Sequence, residues 1–322
     1  MRKNSPPIQL SKSTVALLAL LFCFLIGNCF AEEYPAKPIK IVVGYVPGGS
    51  PDFIARTVAQ RMSELIKVPV LVENKPGAGG STAATFVGKS NPDGYTLFLG
   101  DTSHLSELLL KELLPVSSIT SEPLLLVASS KSSIKNLQDL IRDAKMHPGE
   151  INYGSSGIGS IQHIAMEAFD SEAGLNIIHV PYKGSGQSVP AILAGDVPIL
   201  MTSYTATASH IKTGSLTLIA VSSAKRFNKY PNVPSLSEVV KDYDYTSETG
   251  IMTTAGVPKS VHQTLISIIK RVSEDSQFIS KFSDTALSIN FVPYPEFSEE
   301  LKKGLRKYQR TLLKANIPLE AQ

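Results

Sequence analysis

The sequence predicts an α/β protein of two lobes, each a mostly parallel sheet with helices on both faces. Three observations predict it. Short runs rich in β-branched residues alternate with amphipathic stretches, the pattern of crossover units. Small, glycine- and serine-rich turns stand between several strand-like runs and the helical stretch that follows. The chain has 322 residues, 43% hydrophobic and only 18% charged, which is long for a single sheet.

The first thirty-one residues read as an address. Arg2, Lys3 and Lys12 precede an apolar stretch at 15–27, and Cys29-Phe30-Ala31 ends it in a small-x-small pattern. As a helix that stretch would rise about 20 Å, short of the ~30 Å hydrocarbon core of a membrane. A secretory leader cleaved after Ala31 is expected. Both cysteines, Cys23 and Cys29, fall inside it, which excludes thiol chemistry from the exported chain. Taking the three leader cations from the 31 basic residues leaves as many bases as the 28 acids. A chain without net charge has no electrostatic footprint for nucleic acid or anionic lipid.

Beyond the leader, 39–46 reads as a strand, and Ile54, Val58, Met62, Leu65 and Ile66 recur at helical spacing. Strands follow at 68–72, 96–99 and 124–128; the chain is expected to cross to the second lobe through 122–128, where the apolar strand leads into the polar 129–133. Leu137, Leu140, Ile141 and Ala144 form a helix face, with Asn136 as N-cap and Asp139 three residues on. Strands at 151–153, 177–180, 199–202 and 216–221 build the second lobe. A return is expected near 247–254, and the tail 296–315 is expected to pack on the first lobe. The expected limits are a leader at 1–31, a first lobe at 32–127 and 249–322, and a second lobe at 128–248.

Catalytic patterns fail on inspection. The six histidines (104, 147, 163, 179, 210 and 262) include no pair at i, i+3 or i+4, so no helical zinc motif exists and each reads as a structural or exposed group. Gly154-Ser155-Ser156-Gly157 lacks the Gly-x-Ser-x-Gly of a nucleophile elbow, because position 158 is Ile. Gly88-Lys89-Ser90 has Ala83 where a phosphate loop needs glycine, and Gly157-Ile158-Gly159 runs on to Gln162 in place of a third glycine. No enzyme activity, cofactor or metal is expected. The rival reading is a hydrolase using Ser155 or Ser156 with His163.

Three turns share another logic: a strand, then small residues, then a helix. They are Pro47, Gly48, Gly49, Ser50 with Asp52; Gly77, Ala78, Gly79, Gly80; and Ser155, Ser156, Gly157 with Ser160. Free N–H groups and the positive dipole end of a helix start hold an anion without a charged side chain. Glycine admits the ligand to the main chain, and serine adds donors. Turns of this kind on two lobes suggest a cleft that grips one ligand from both sides, beyond the carboxyl ends of the strands.

At these residues the chain resembles the Bug-type extracytoplasmic solute receptors of tripartite tricarboxylate transporters. The resemblance runs in order through YPAKPIKI at 34–41, PGG at 47–49, VENKPGAGG at 72–80, PDGYTL at 92–97, NYGSSGIGS at 152–160, HVPYKG at 179–184 and PNVP at 231–234. It implies a type II-like periplasmic binding protein, acting as a monomer, that closes on a small organic acid held by main-chain amides and hydroxyls. It implies further that a membrane permease, or a sensor kinase, reads the closed form. By position, Thr102 and Ser103 are expected to face the cleft, and His163 with Tyr182, Lys183 and Gly184 to lie near its mouth. Bland readings stand beside these: an Asp52–Arg56 surface pair, a solvated Lys183, a structural His163 and a Tyr182 that packs its turn. The chain departs from the family pattern in a shortened segment at 101–116, and in Glu248 to Pro258, where the family carries a Trp.

Overall fold

The protein is described from a computed structural model that covers residues 34–315. The expected leader, its cleavage point and both cysteines lie outside the described residues. β1 (Ile39–Val43) is followed by α1 (Ser50–Ile66), which has Pro51 and Asp52 in its first turn and stops at Lys67 in a left-handed conformation. Ile54, Val58 and Met62 bury the face predicted from their spacing. β2 (Val70–Asn74), α2 (Ser81–Gly88) and β3 (Thr96–Gly100) complete a parallel trio with β1 at its centre. The one-turn α3 (Leu109–Glu112) leads into β4 (Leu113–Pro123).

The chain then changes sheet. β5 (Leu125–Ser129), α4 (Leu137–Met146), β6 (Asn152–Ser155), α5 (Ile161–Ala173), β7 (Ile178–Pro181), α6 (Ser185–Ala194), β8 (Ile199–Thr202), α7 (Tyr204–Lys212) and β9 (Leu216–Val221) form the second set. Asn136 caps α4 as its position predicts, its Oδ1 accepting the Asp139 N–H at 2.8 Å. β10 (Thr246–Thr254) returns to the first sheet, followed by α8 (Lys259–Ser273), α9 (Ser276–Ser280), β11 (Ser288–Ile289) and α10 (Glu296–Lys314).

The sheet orders are β11-β4-β10-β3-β1-β2 and β7-β6-β8-β5-β9. Leaving out β11, the two share one topology, and in each the antiparallel strand is the one that arrives from the other half: β10 in the first, β5 in the second. This is the two-lobed α/β architecture expected, reached by an exchange of strands that periodicity does not reveal. β4 went unread in the sequence because Pro115, Pro123 and a run of serines and threonines hide its eleven residues.

One expectation is corrected. The tail helix α10 does not serve the first lobe alone. Phe297 and Leu301 join Phe98 and Met252 in the first core, whereas Tyr308 and Leu312 join Phe169 and Tyr243 in the second. Its apolar stripe is long enough to span both.

The crossings meet at Ser222. Its Oγ accepts the Leu124 N–H at 2.8 Å and donates to the Tyr245 carbonyl, while its own N–H donates to Leu124 O at 3.0 Å and its carbonyl accepts from Tyr245 N at 2.9 Å. Ser222→Ala strands two buried main-chain groups. We expect a loss of about 1–3 kcal/mol, read as a lower urea midpoint at unchanged slope.

Candidate ligand-binding site

The glycine turns come together in opposed pairs. A Cβ on Gly79 would lie 2.3 Å from the Ile158 carbonyl oxygen and 2.9 Å from the Ser160 nitrogen, so the second and third turns touch backbone to backbone. The first turn meets a fourth, Gly184-Ser185-Gly186, where a Cβ on Gly186 would lie 2.5 Å from the Pro47 carbonyl oxygen. Ser50 Oγ donates to Thr205 Oγ1 of α7 at 2.9 Å, and Val46 N–H donates to Lys183 O at 3.3 Å. The lobes are closed on one another.

A pocket of about 260 Å³ remains between them, lined by Tyr45, the Gly77–Gly80 turn, Ser156, Gly157, Tyr182 and Lys183. Gly77, Ala78, Gly79 and Gly80 all have positive φ, a conformation that glycine adopts without strain. A second hollow of about 440 Å³ is lined by Gly48, Gly49, Asp52 and Thr205 among others. Four helices that begin around this interface, α1, α2, α6 and α7, have no side chain capping their first N–H groups. α5, which follows the third turn, is capped by Ser160; elsewhere α4 and α9 are capped by Asn136 and Asp275, whereas α3, α8 and α10 also lack a side-chain cap. Uncapped starts leave N–H donors and dipole ends for a guest.

Several predicted residues do other work. Asp52 turns back to accept from Arg56, Asn74 and the Gly48 N–H, and clamps the first turn from behind. Burial works against its ionisation, but those partners hold its carboxyl below the ordinary value. Thr102 packs against Gly304 of α10 instead of facing the cleft, and Ser103 bonds Asp101 through both its N–H and its hydroxyl. Ser160 caps α5 and donates to Gly157 O at 2.8 Å. Ser155 is fully buried, with its Oγ 2.6 Å from His179 Nε2.

His163 is not at the mouth. It is 3% exposed, its Nδ1 accepts the Gly159 N–H at 3.1 Å, and its ring stacks on His179 at 4.0 Å. The hydrolase reading of Ser155 or Ser156 with His163 fails there, because the ring nitrogen needed as base already holds the turn. Burial pushes His163 down to about 3 and His179 to about 4, with His179 adding to the first shift.

Sequence reasoning missed Tyr45, Asp101 and His104, and of the fourth turn it named Gly184 but not Ser185 and Gly186. The fourth turn follows β7 and opens α6 in the same strand–small–helix order as the other three, so its signal was present. Asp101 and His104 form a reciprocal cap around the short turn at 102–104. Burial opposes ionisation of Asp101, but His104 and Ser103 outweigh it and keep its carboxyl low. Tyr45 is buried edge-on to His104 at 5.2 Å; burial, then Asp101, raises its phenol well above the usual value.

Two α/β lobes closing over a small glycine-lined pocket beside uncapped helix starts define a solute-binding protein. Residues 54–298 match the family described as Tripartite tricarboxylate transporter family receptor, TctC, and the chain belongs to that family of periplasmic receptors, which are not enzymes. It is 36% identical to the BugT protein of Bordetella pertussis over 220 residues, covering 65% of this chain and 68% of that one. A solved periplasmic transporter superposes with a TM-score of 0.82 at 29% identity, covering 89% of this chain and 99% of that one. An R. palustris protein solved with adipate also gives 0.82, at 24% identity, over 88% and 99% of the two chains.

Two predictions follow from this geometry. Gly79→Ala presses a methyl group on the opposite lobe; amide exchange at 157–160 should quicken about tenfold or more while that of α8 stays unchanged. The unfolded chain binds protons on both stacked histidines below pH 6.5 and the folded chain does not. Their neutral burial therefore costs nothing above that pH and destabilises progressively from about 6.5 toward 4. His163→Asn, which keeps an acceptor for Gly159, should make the stability–pH slope across that window shallower by up to one proton, about 1.4 kcal/mol per pH unit, in chemical denaturation.

Proposed function

We propose that this chain captures a small carboxylate-bearing metabolite between its lobes and delivers it to the membrane permease of a tripartite transporter. The observation that carries the reading is the set of four uncapped helix starts, drawn from both lobes, at an interface whose glycines let main chain meet main chain. Such donors suit an anion. Lys183 is the one cationic side chain on the smaller pocket among the described residues, so the guest's charge is met chiefly by dipoles. The residues we assign to the grip are Gly48, Gly49 and Ser50, Gly77–Gly80, Ser156, Gly157, and Tyr182–Gly184, with Tyr45 added.

The lobes of this receptor are centred on the two sheets. We place their changeovers at Pro123–Leu124 and between Ser222 and Tyr245, on the ground that β5 and β10 each pair within one sheet. Closure of the lobes on the guest is the signal the permease would read.

Thermal unfolding of the exported protein against dicarboxylates, amino acids, nicotinate and aromatic acids tests the reading. A bound member at a hundred times its Kd stabilises by about 2.7 kcal/mol, several degrees of Tm. No shift across the whole panel overturns it.

A further inference from the structure

Away from the interlobe pocket, a hollow of about 310 Å³ opens between α5, the crossing at 240–245 and the C-terminal half of α10. Its charged lining is Glu172, Lys241, Asp242, Lys307, Arg310 and Lys314. Tyr245, which Ser222 ties to the other crossing, is part of its wall. At about 30 Å³ per water in the liquid, the space has room for about ten waters. None of its residues lines the interlobe pocket or the hollow at Gly48 and Gly49.

Basic residues recur along one stripe of α10, at Lys303, Lys307, Arg310 and Lys314. Like charges three and four apart on a helix repel, so the stripe is unfavourable unless something anionic lies over it. The protein supplies little of that. Lys314 pairs with Glu172 at 3.0 Å. The Asp244 carboxylate accepts from the Ala224 N–H at 3.1 Å. Lys307 is half-buried and has no carboxylate partner among the described residues: its Nζ donates to the Asp244 carbonyl and sits 3.9 Å from the centre of the Tyr245 ring. Burial pushes its pKa down, and Lys303 and Arg310 add to the fall against the pull of Asp244. Arg310 Nε donates to the Arg306 carbonyl at 3.2 Å. Among the described residues neither Arg310 nor Lys241 forms an ion pair. With Glu172 taken up, Lys241, Lys307 and Arg310 stand against the single carboxylate of Asp242 in the lining. A partly desolvated cation without a counter-ion is costly and calls for one.

We propose that this hollow is a second binding site, for a compact dianion of the phosphate class held by Lys241, Lys307 and Arg310. The guanidinium of Arg310 offers a planar fork to two oxygens, and the lysines act as point charges. An anion there relieves the repulsion along α10 and gives Lys307 the counter-charge it lacks. Because the hollow shares no residue with the interlobe pocket, it stands or falls apart from the receptor reading.

Amide NMR titration of the exported protein with inorganic phosphate tests this, against sodium chloride at matched ionic strength. Saturable shifts are expected at 240–245 and 307–314, and chloride should not reproduce them. Arg310→Gln, and independently Lys241→Gln on the facing loop, should each weaken phosphate binding tenfold or more. Lys302→Gln removes the same charge from the same helix, but Lys302 lies off the hollow and is paired with Glu299 at 2.7 Å. It should change the affinity less than twofold. Circular dichroism and an unchanged amide pattern in α8 check that each variant is folded. Shifts that fail to saturate, that chloride reproduces, or that spread over the whole surface overturn the site. So does equal weakening by Lys302→Gln and the two lining variants in folded protein. The thermal panel tests the interlobe pocket separately, so either reading can fail without the other.

Discussion

Backbone meets backbone across the cleft, and that contact sets the terms for everything else. Gly79 against Ile158–Ser160 and Gly186 against Pro47 leave no room for a single methyl group. Because nothing but main chain stands at these points, the lobes can approach until peptide N–H groups of both face the same small space. A bulkier interface would hold the two sets of helix dipoles too far apart to act on one guest. Glycine is required here by the approach of the opposite turn, and only secondarily by its own backbone angles.

Turns that must hold this geometry are braced from behind. Asp52 gathers Gly48, Arg56 and Asn74 into one knot beneath the first turn. Behind the third turn, His163 holds the Gly159 N–H and stacks on His179, which in turn meets Ser155. Titratable side chains near this cleft thus serve mainly as scaffolding, and burial keeps the two rings neutral so that they can do so. The face offered to a guest is left to amides, hydroxyls and a few acceptors. A site built on dipoles is less open to screening by salt than one built on exposed charge, which suits a protein outside the cytoplasm.

The two crossings share one seam. Both changeover strands pass Ser222, whose hydroxyl ties Leu124 of one crossing to Tyr245 of the other. α10 adds a third link, with Phe297 and Leu301 in one core and Tyr308 and Leu312 in the other. Such links join the two lobes at three places along the chain.

Local pattern made much of the molecule legible from its amino acids alone. Alternation placed most strands within a few residues, Asn136 announced the start of α4, and three of the four cleft turns stood out because strand, small residues and helix follow in fixed order. These are short-range properties that a linear chain carries in its own spacing. The antiparallel place of β5 and β10 inside the sheets they enter, the span of α10, the meeting of Gly186 with Pro47 and the unpaired Oε2 of Glu122 were decided only by tertiary structure. Each depends on which distant segment arrives alongside: β4 shows no strand pattern of its own until β10 pairs with it, and the rival reading of His163 as a base stands until the Gly159 amide takes its nitrogen. Periodicity reports which face of an element is buried; it is silent on what comes to cover it.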